Sequence, residues 1–278
     1  MIIIRFAWLS LVLCVMAGAA GADDAKPEPT ATDAPAALRC IFKMNGHLIV
    51  NFDVIAKAAG IKYQSYGYGP DLDKPITSGR KVLEDTPRTL MEKGEVDVCL
   101  TVDRNWAAEP PLDKWAAVGF AHNPNFRLYQ QARFLTENPE ERDNSKIADV
   151  QAALDKTRKR LEDRVDAINK EIGKPVVFIV PVGDAIVKLR EMVVDGKFPG
   201  LTKQSELFIA GSRGSIHAEK HANLLTAYCN YAAIYQKSPV GLKLEMKEDI
   251  TDEQHAILQK LAWETVSKYP YAGIANTK

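Results

Sequence analysis

Residues 175–194 read PVVFIVPVGDAIVKLREMVV. The first six, Pro175 to Val180, are apolar and β-branched with no polar alternation, as expected of a strand covered on both faces. Ala185 to Val194 then changes to helical spacing. A fully apolar strand followed at once by a helix is half of a βαβ unit, so this stretch predicts an α/β protein with a mainly parallel sheet. Val96 to Val102, VDVCLTV, is a second run of the same kind.

Working outward, Leu38 to Met44 reads as the first strand and Leu48 to Ala59 as a helix ending at Gly60. Ile61 to Tyr66 reads as a strand broken by Gly67 and Gly69, and Pro87 to Glu92 as a short helix. Beyond a loop rich in Pro and Trp, Leu112 to Phe120 is helical and Phe126 to Phe134 offers a further strand. Ile147, Val150, Leu154, Leu161, Val165, Ile168 and Ile172 recur three, four and seven apart, on one face of a long helix. Glu206 to Ala210 reads as the last strand, and the loop Gly211 to Ser215 leads to a helix from about His217 to Tyr235. Thr251 and Gln254 form a capping box for a terminal helix from Asp252 to Lys268. The expected architecture is a three-layer α/β/α sandwich with a mainly parallel, flavodoxin-like five-stranded sheet. In such sheets function collects beyond the carboxyl ends of the strands, which selects the loops starting at Asn45, Gly67, Asp103, Pro181 and Gly211.

The N-terminus reads as an address. Met1 to Ala22 has one charge, Arg5, then an apolar run and the small residues Ala19, Ala20, Gly21 and Ala22. This layout predicts a signal peptide and a secreted or periplasmic protein, with an uncleaved anchor as the competing reading. Residues 23–36 carry three prolines and no large apolar side chain, which predicts a flexible tether before a single domain at 37–278. No later stretch is apolar and long enough to span a membrane. The chain has 36 Lys+Arg and 36 Asp+Glu. A balanced charge gives no basic surplus for nucleic acid. Cys40 and Cys99 lie in apolar runs, where Cys acts as a small hydrophobe, and the cysteines show no metal-ligand spacing. No metal and no cofactor are expected.

Met44-Asn45-Gly46-His47-Leu48-Ile49 follows the first strand, Asp103-Arg104-Asn105-Trp106 the third, and Gly214-Ser215-Ile216-His217 the last. In order and placement these blocks resemble the SGNH, or GDSL-type, hydrolase superfamily. That superfamily carries Gly-Asp-Ser-Leu after strand one, a Gly after strand two, Gly-x-Asn-Asp after strand three and Asp-x-x-His at the end. The resemblance spans roughly residues 38–272 and is carried by order more than by intact motifs. It implies an acyl or acetyl esterase ancestry on carbohydrate or lipid esters. Gly46 then matches the motif glycine, Gly67 or Gly69 the second-block glycine, Asn105 the oxyanion-hole asparagine and His217 the general base. Two positions depart from the pattern. Leu48 stands where the nucleophilic serine belongs, and Gly214 where the aspartate that orients the histidine belongs. Without a nucleophile near its base, acyl transfer of this type fails.

A non-catalytic binder of a glycan or acyl-ester ligand is therefore the leading expectation. An ester hydrolase using His217 with an unconventional nucleophile is the alternative, and an interaction protein of the cell envelope a third. His217 also reads as a helix-terminal histidine without a proton-transfer role. His47, Tyr66, Tyr68 and Asn123 are the candidate ligand contacts: tyrosines stack on sugar rings, but also serve as ordinary sheet packing. His217 and His221, four apart, have a spacing compatible with a metal but lack the His-Glu-x-x-His arrangement. Ser212 with Asp249 or Asp252 and His255 follows the residue order of an α/β-hydrolase triad.

Overall fold

The computed structural model describes residues 38–43, 47–102, 111–132, 142–210, 216–246 and 249–274. All belong to one compact unit, Ala36–Lys278. The expected signal segment and tether lie outside the described residues. In chain order the elements are β1 (Leu38–Lys43), α1 (His47–Ala58), β2 (Tyr63–Tyr68), β3 (Thr77–Ser78), β4 (Lys81–Val82), α2 (Pro87–Glu92), β5 (Val98–Val102) and α3 (Leu112–His122). There follow β6 (Arg127–Gln131), α4 (Ile147–Ile172), β7 (Val177–Val180), α5 (Val182–Val194), β8 (Phe208–Ala210), β9 (Ile216–Ala218), α6 (Lys220–Tyr235) and α7 (Asp252–Ser267).

The two apolar runs that predict the fold become β7 and β5 of one seven-stranded sheet, ordered β4-β3-β2-β1-β5-β6-β7. The five strands β2-β1-β5-β6-β7 are mutually parallel, which is the flavodoxin-like order. Because successive side chains point to opposite faces, each strand feeds two cores. Cys40, Phe42, Val98, Leu100 and Tyr129 pack with α1, α5, α6 and α7. Ile41, Cys99, Leu128, Val177 and Ile179 pack with α2, α3 and α4. The expected α/β sandwich is the observed one. Helix α6 is buried around almost its whole circumference, since it packs against α1 and α5 and is covered in turn by α7. Among the described residues no helix is long and apolar enough to cross a membrane.

The structure corrects four details. The run Glu206–Ala210 does not join the central sheet: Phe208–Ala210 pairs antiparallel with Ile216–Ala218 in a separate two-stranded sheet, and Arg127–Gln131 supplies the remaining parallel strand instead. His217 is therefore on β9, and the helix begins at Lys220. Strand β2 continues through Gly67, whose φ of +108° would strain any side-chain-bearing residue. Finally, β3 and β4 extend the sheet edge as a hairpin in which Ser78 opposes Lys81. That register leaves Gly79-Arg80 as a two-residue turn, and Gly79 at φ +60° supplies the first position of a type II′ turn.

Gly67 is also a point of close approach, since a Cβ there would lie 2.4 Å from the Thr77 carbonyl oxygen, whereas one on Gly79 would meet nothing. Gly67→Ala is expected to cost roughly 2–4 kcal/mol by clash and strain, and Gly79→Ala about 1 kcal/mol by strain alone. Urea unfolding of the two variants beside wild type checks this, and equal losses would contradict it.

Candidate functional site

The strand order reverses between β1 and β5, and an open parallel sheet forms its crevice at such a point, beyond the carboxyl ends of the strands. His47 and Leu48 form the first turn of α1, directly after β1. Gly46, Asn105 and Gly214 lie outside the described residues. His217, in the middle of β9, is exposed. Gly67 and Tyr66 belong to β2. Gly67 admits the β3 backbone, while the Tyr66 hydroxyl donates to the Glu95 carbonyl at 3.1 Å. Tyr68, the last residue of β2, is half-buried opposite Thr77.

The structure adds residues that the sequence reading passed over. Towards their carboxyl ends, β5 and β6 change from apolar to polar at Thr101, Gln130 and Gln131, all buried. Thr101 bonds the Gln130 side chain, whose Nε2 donates to the Gln131 carbonyl at 3.1 Å. On the other face, Asn230 of α6 donates to Gln131 Oε1 at 3.4 Å. The Asn230 Oδ1 is buried with no hydrogen-bond partner. A buried amide oxygen without a donor is costly, and here it sits with Gln131 at the carboxyl end of β6. The signal in the sequence was the Gln130-Gln131 pair inside an apolar strand.

Asn123 lies at the opposite end of the sheet. It caps the end of α3 and its Nδ2 donates to the Val96 carbonyl at 2.9 Å and to Asp97 Oδ1 at 3.0 Å, so its amide nitrogen is committed to the amino end of β5, away from the crevice. Asp97 also accepts from the backbone nitrogen and the guanidinium of Arg39. Burial alone would raise the Asp97 carboxyl. The bonds from Arg39 and Asn123 more than offset this and hold it below the ordinary carboxylate range.

The remaining histidines serve different ends. His221 is 2% exposed and packs edge-on against Phe198, with ring centroids 5.3 Å apart. Neither ring nitrogen has a hydrogen-bond partner. With His217 on β9 and His221 inside α6, the two do not share a helical face, and no group of three potential ligands could hold a metal among the described residues. His255 of α7 meets the buried Tyr228 hydroxyl through Nδ1 at 3.0 Å, and Gln259 Nε2 reaches the same hydroxyl at 3.1 Å. The proposed partner serine of His255, Ser212, lies outside the described residues. Cys40, Cys99 and Cys229 are all buried. Burial pushes the Cys40 thiol up to about 12, which suits a hydrophobe and not a nucleophile.

No family model and no curated protein matches the chain. Among solved structures, it is similar to a DUF4886 family protein from Bacteroides uniformis, with a TM-score of 0.50 and 10% sequence identity over 84% of this chain and 96% of that one. At that identity the likeness concerns the fold alone, and it agrees with the α/β architecture.

Burial lowers the pKa of both His221 and His255 from the ordinary 6.5, with Gln254 beside His221 offsetting only part of the effect. A histidine whose folded pKa lies below its unfolded value takes up more protons in the unfolded chain. The stability it confers is complete above about pH 6.5 and drains away as pH falls below that value. Urea midpoints measured from pH 8 to pH 5 are expected to fall in that window, and His221→Leu to flatten the decline. The acid loss due to Asp97 belongs to a lower window, below about pH 4.

Proposed function

We propose that the protein is an exported SGNH-hydrolase-like ligand-binding protein whose crevice at the carboxyl ends of β1 and β5 holds a glycan or acyl ester without turning it over. Leu48 carries this reading. It occupies the first turn of α1, at the point where the sheet order reverses and where the resemblance demands a serine. A leucine methyl neither loses a proton nor attacks a carbonyl, and removal of a triad nucleophile typically costs several orders of magnitude in rate. Support for binding comes from the polar residues at the carboxyl ends of β5 and β6. Thr101, Gln130, Gln131 and Asn230 are neutral hydrogen-bonding groups, suited to hydroxyl and carbonyl oxygens and insensitive to pH. Export is supported by the N-terminal apolar run and its small-residue end.

The test is release of acetate from p-nitrophenyl acetate and acetylated xylo-oligosaccharides by wild type, His217→Ala and Leu48→Ser, with calorimetric titration of the same oligosaccharides into wild type. Saturable binding with no turnover above blank is expected from wild type, with weak, His217-dependent hydrolysis gained in Leu48→Ser. Wild-type turnover abolished by His217→Ala would overturn the proposal in favour of an unconventional nucleophile.

A further inference from the structure

Val240 and Gly241 form a turn, closed by Leu242 N donating to the Pro239 carbonyl at 3.2 Å, and residues 242–246 then run beside α7 outside any helix or strand. Leu242, Leu244 and Met246 are half-buried while Lys243 and Glu245 are exposed, an alternation that turns one side of the segment inward. Between this side and the first two turns of α7 lies a cavity of about 310 Å³, completed by Ile250, His255 and Ala256. That volume falls at the lower end of small-molecule sites, about 300–1,000 Å³. The segment is pinned rather than draped. Gln259 accepts from the Gly241 nitrogen at 2.9 Å and donates to the Leu242 carbonyl at 2.8 Å. Glu245 pairs with Lys57 of α1 at 2.9 Å.

The same glutamine fixes a proton. Its Nε2 has two hydrogens, one directed to Leu242 and one to the Tyr228 hydroxyl. Tyr228 is thereby an acceptor from Gln259, and its own hydrogen is left for His255 Nδ1. The network assigns His255 the neutral tautomer with hydrogen on Nε2, at the ring edge away from Tyr228. The His255 ring is part of the cavity lining, whose aliphatic side is Leu242, Leu244, Met246 and Ile250 and whose polar side adds Lys243, Asp252 and Gln259. Lys243 and Asp252, both in the lining, stand 3.5 Å apart. Their side chains are 84% and 87% exposed, so the pair is weakly held and its ammonium is available to an incoming anion.

We propose that this cavity is a binding site for an aliphatic monocarboxylate of medium chain length. The chain lies against Leu242, Leu244, Met246 and Ile250, and the carboxylate accepts from His255 Nε2–H beside Lys243. The site is independent of the β1/β5 crevice and does not rest on the reading given for it. Glu245 meets Lys57 in the last turn of α1, whereas the crevice is at its first, and a 12-residue helix spans about 18 Å.

Isothermal titration of the full chain with sodium octanoate, sodium acetate and 1-octanol, together with the His255 imidazole signals in a ¹⁵N-labelled sample, tests the proposal. Ala256→Phe fills the cavity from an exposed helical position, so its fold, checked by circular dichroism, should survive. His255→Gln keeps a polar group while moving the donor. Octanoate is expected to bind saturably and shift the His255 signals, and acetate not to bind. Octanol should bind at least tenfold more weakly, and each variant should weaken octanoate tenfold or more. Absence of saturable octanoate binding, equal affinity for octanol, or undiminished affinity in Ala256→Phe would each overturn it.

Discussion

The carboxylate of Asp97 sets the sheet. It stands immediately before β5, accepts the Arg39 backbone nitrogen and guanidinium from β1, and accepts the Asn123 amide from the end of α3. Its backbone joins the same knot, since Asp97 N donates to the Arg39 carbonyl and Arg127 N, at the start of β6, donates to the Asp97 carbonyl. Three parallel strands are thus held in one register at their amino ends. Parallel strands need this, because their ladders pair slightly less stably per residue and a one-residue slip would exchange the two cores. The charge-assisted bonds are short, 2.8–3.0 Å, and both side chains retain some solvent, 32% for Arg39 and 22% for Asp97. On the order of 2 kcal/mol is a fair value for such a partly screened pair.

Fixing the amino ends leaves the carboxyl ends free to vary. There the hydrogen bonding passes to side-chain amides and a hydroxyl, Thr101, Gln130, Gln131 and Asn230, which lie between two otherwise apolar cores. Charge sits at one end of the sheet and neutral polarity at the other. The charged end satisfies itself within the protein. The neutral end retains an unpartnered oxygen on Asn230, the kind of valence that a ligand or an ordered water completes.

Long, strongly periodic elements were legible in the sequence. Helix α4 has the bounds its apolar spacing predicts, Ile147–Ile172, and β5 and β7 fall within their apolar runs. Short elements were not. Hairpin β3-β4 has two residues per strand, too few for an alternation to register, and only Ser78-Gly79 hinted at the turn. Strand β8 has the composition of a buried strand but pairs with β9 outside the main sheet. The 52% exposure of Ile209 reflects that tertiary placement, which local composition does not encode. The same limit applies to the candidate sites. Loops can be ordered along a chain by motif, but the Tyr228, Gln259 and His255 cluster joins residues 27 to 31 apart on two helices with no motif between them. A buried tyrosine on a helix hydrophobic on all sides was the available clue, since its hydroxyl had to find a partner.

Histidine is the residue most readily pressed into acid–base service, and three positions in this chain illustrate what that service requires. His221 is enclosed, and burial disfavours its charged form. His217 is exposed on a short hairpin outside the main sheet. His255 joins a defined relay through the Tyr228 hydroxyl, and the relay ends in Gln259, an amide that cannot take up a proton. A carboxylate at the end of such a relay would stabilise an imidazolium and make the ring a base. An amide instead favours the neutral ring and keeps it a hydrogen-bond donor. That chemistry suits recognition of an oxygen more than transfer of a proton, and it requires no nucleophile at all.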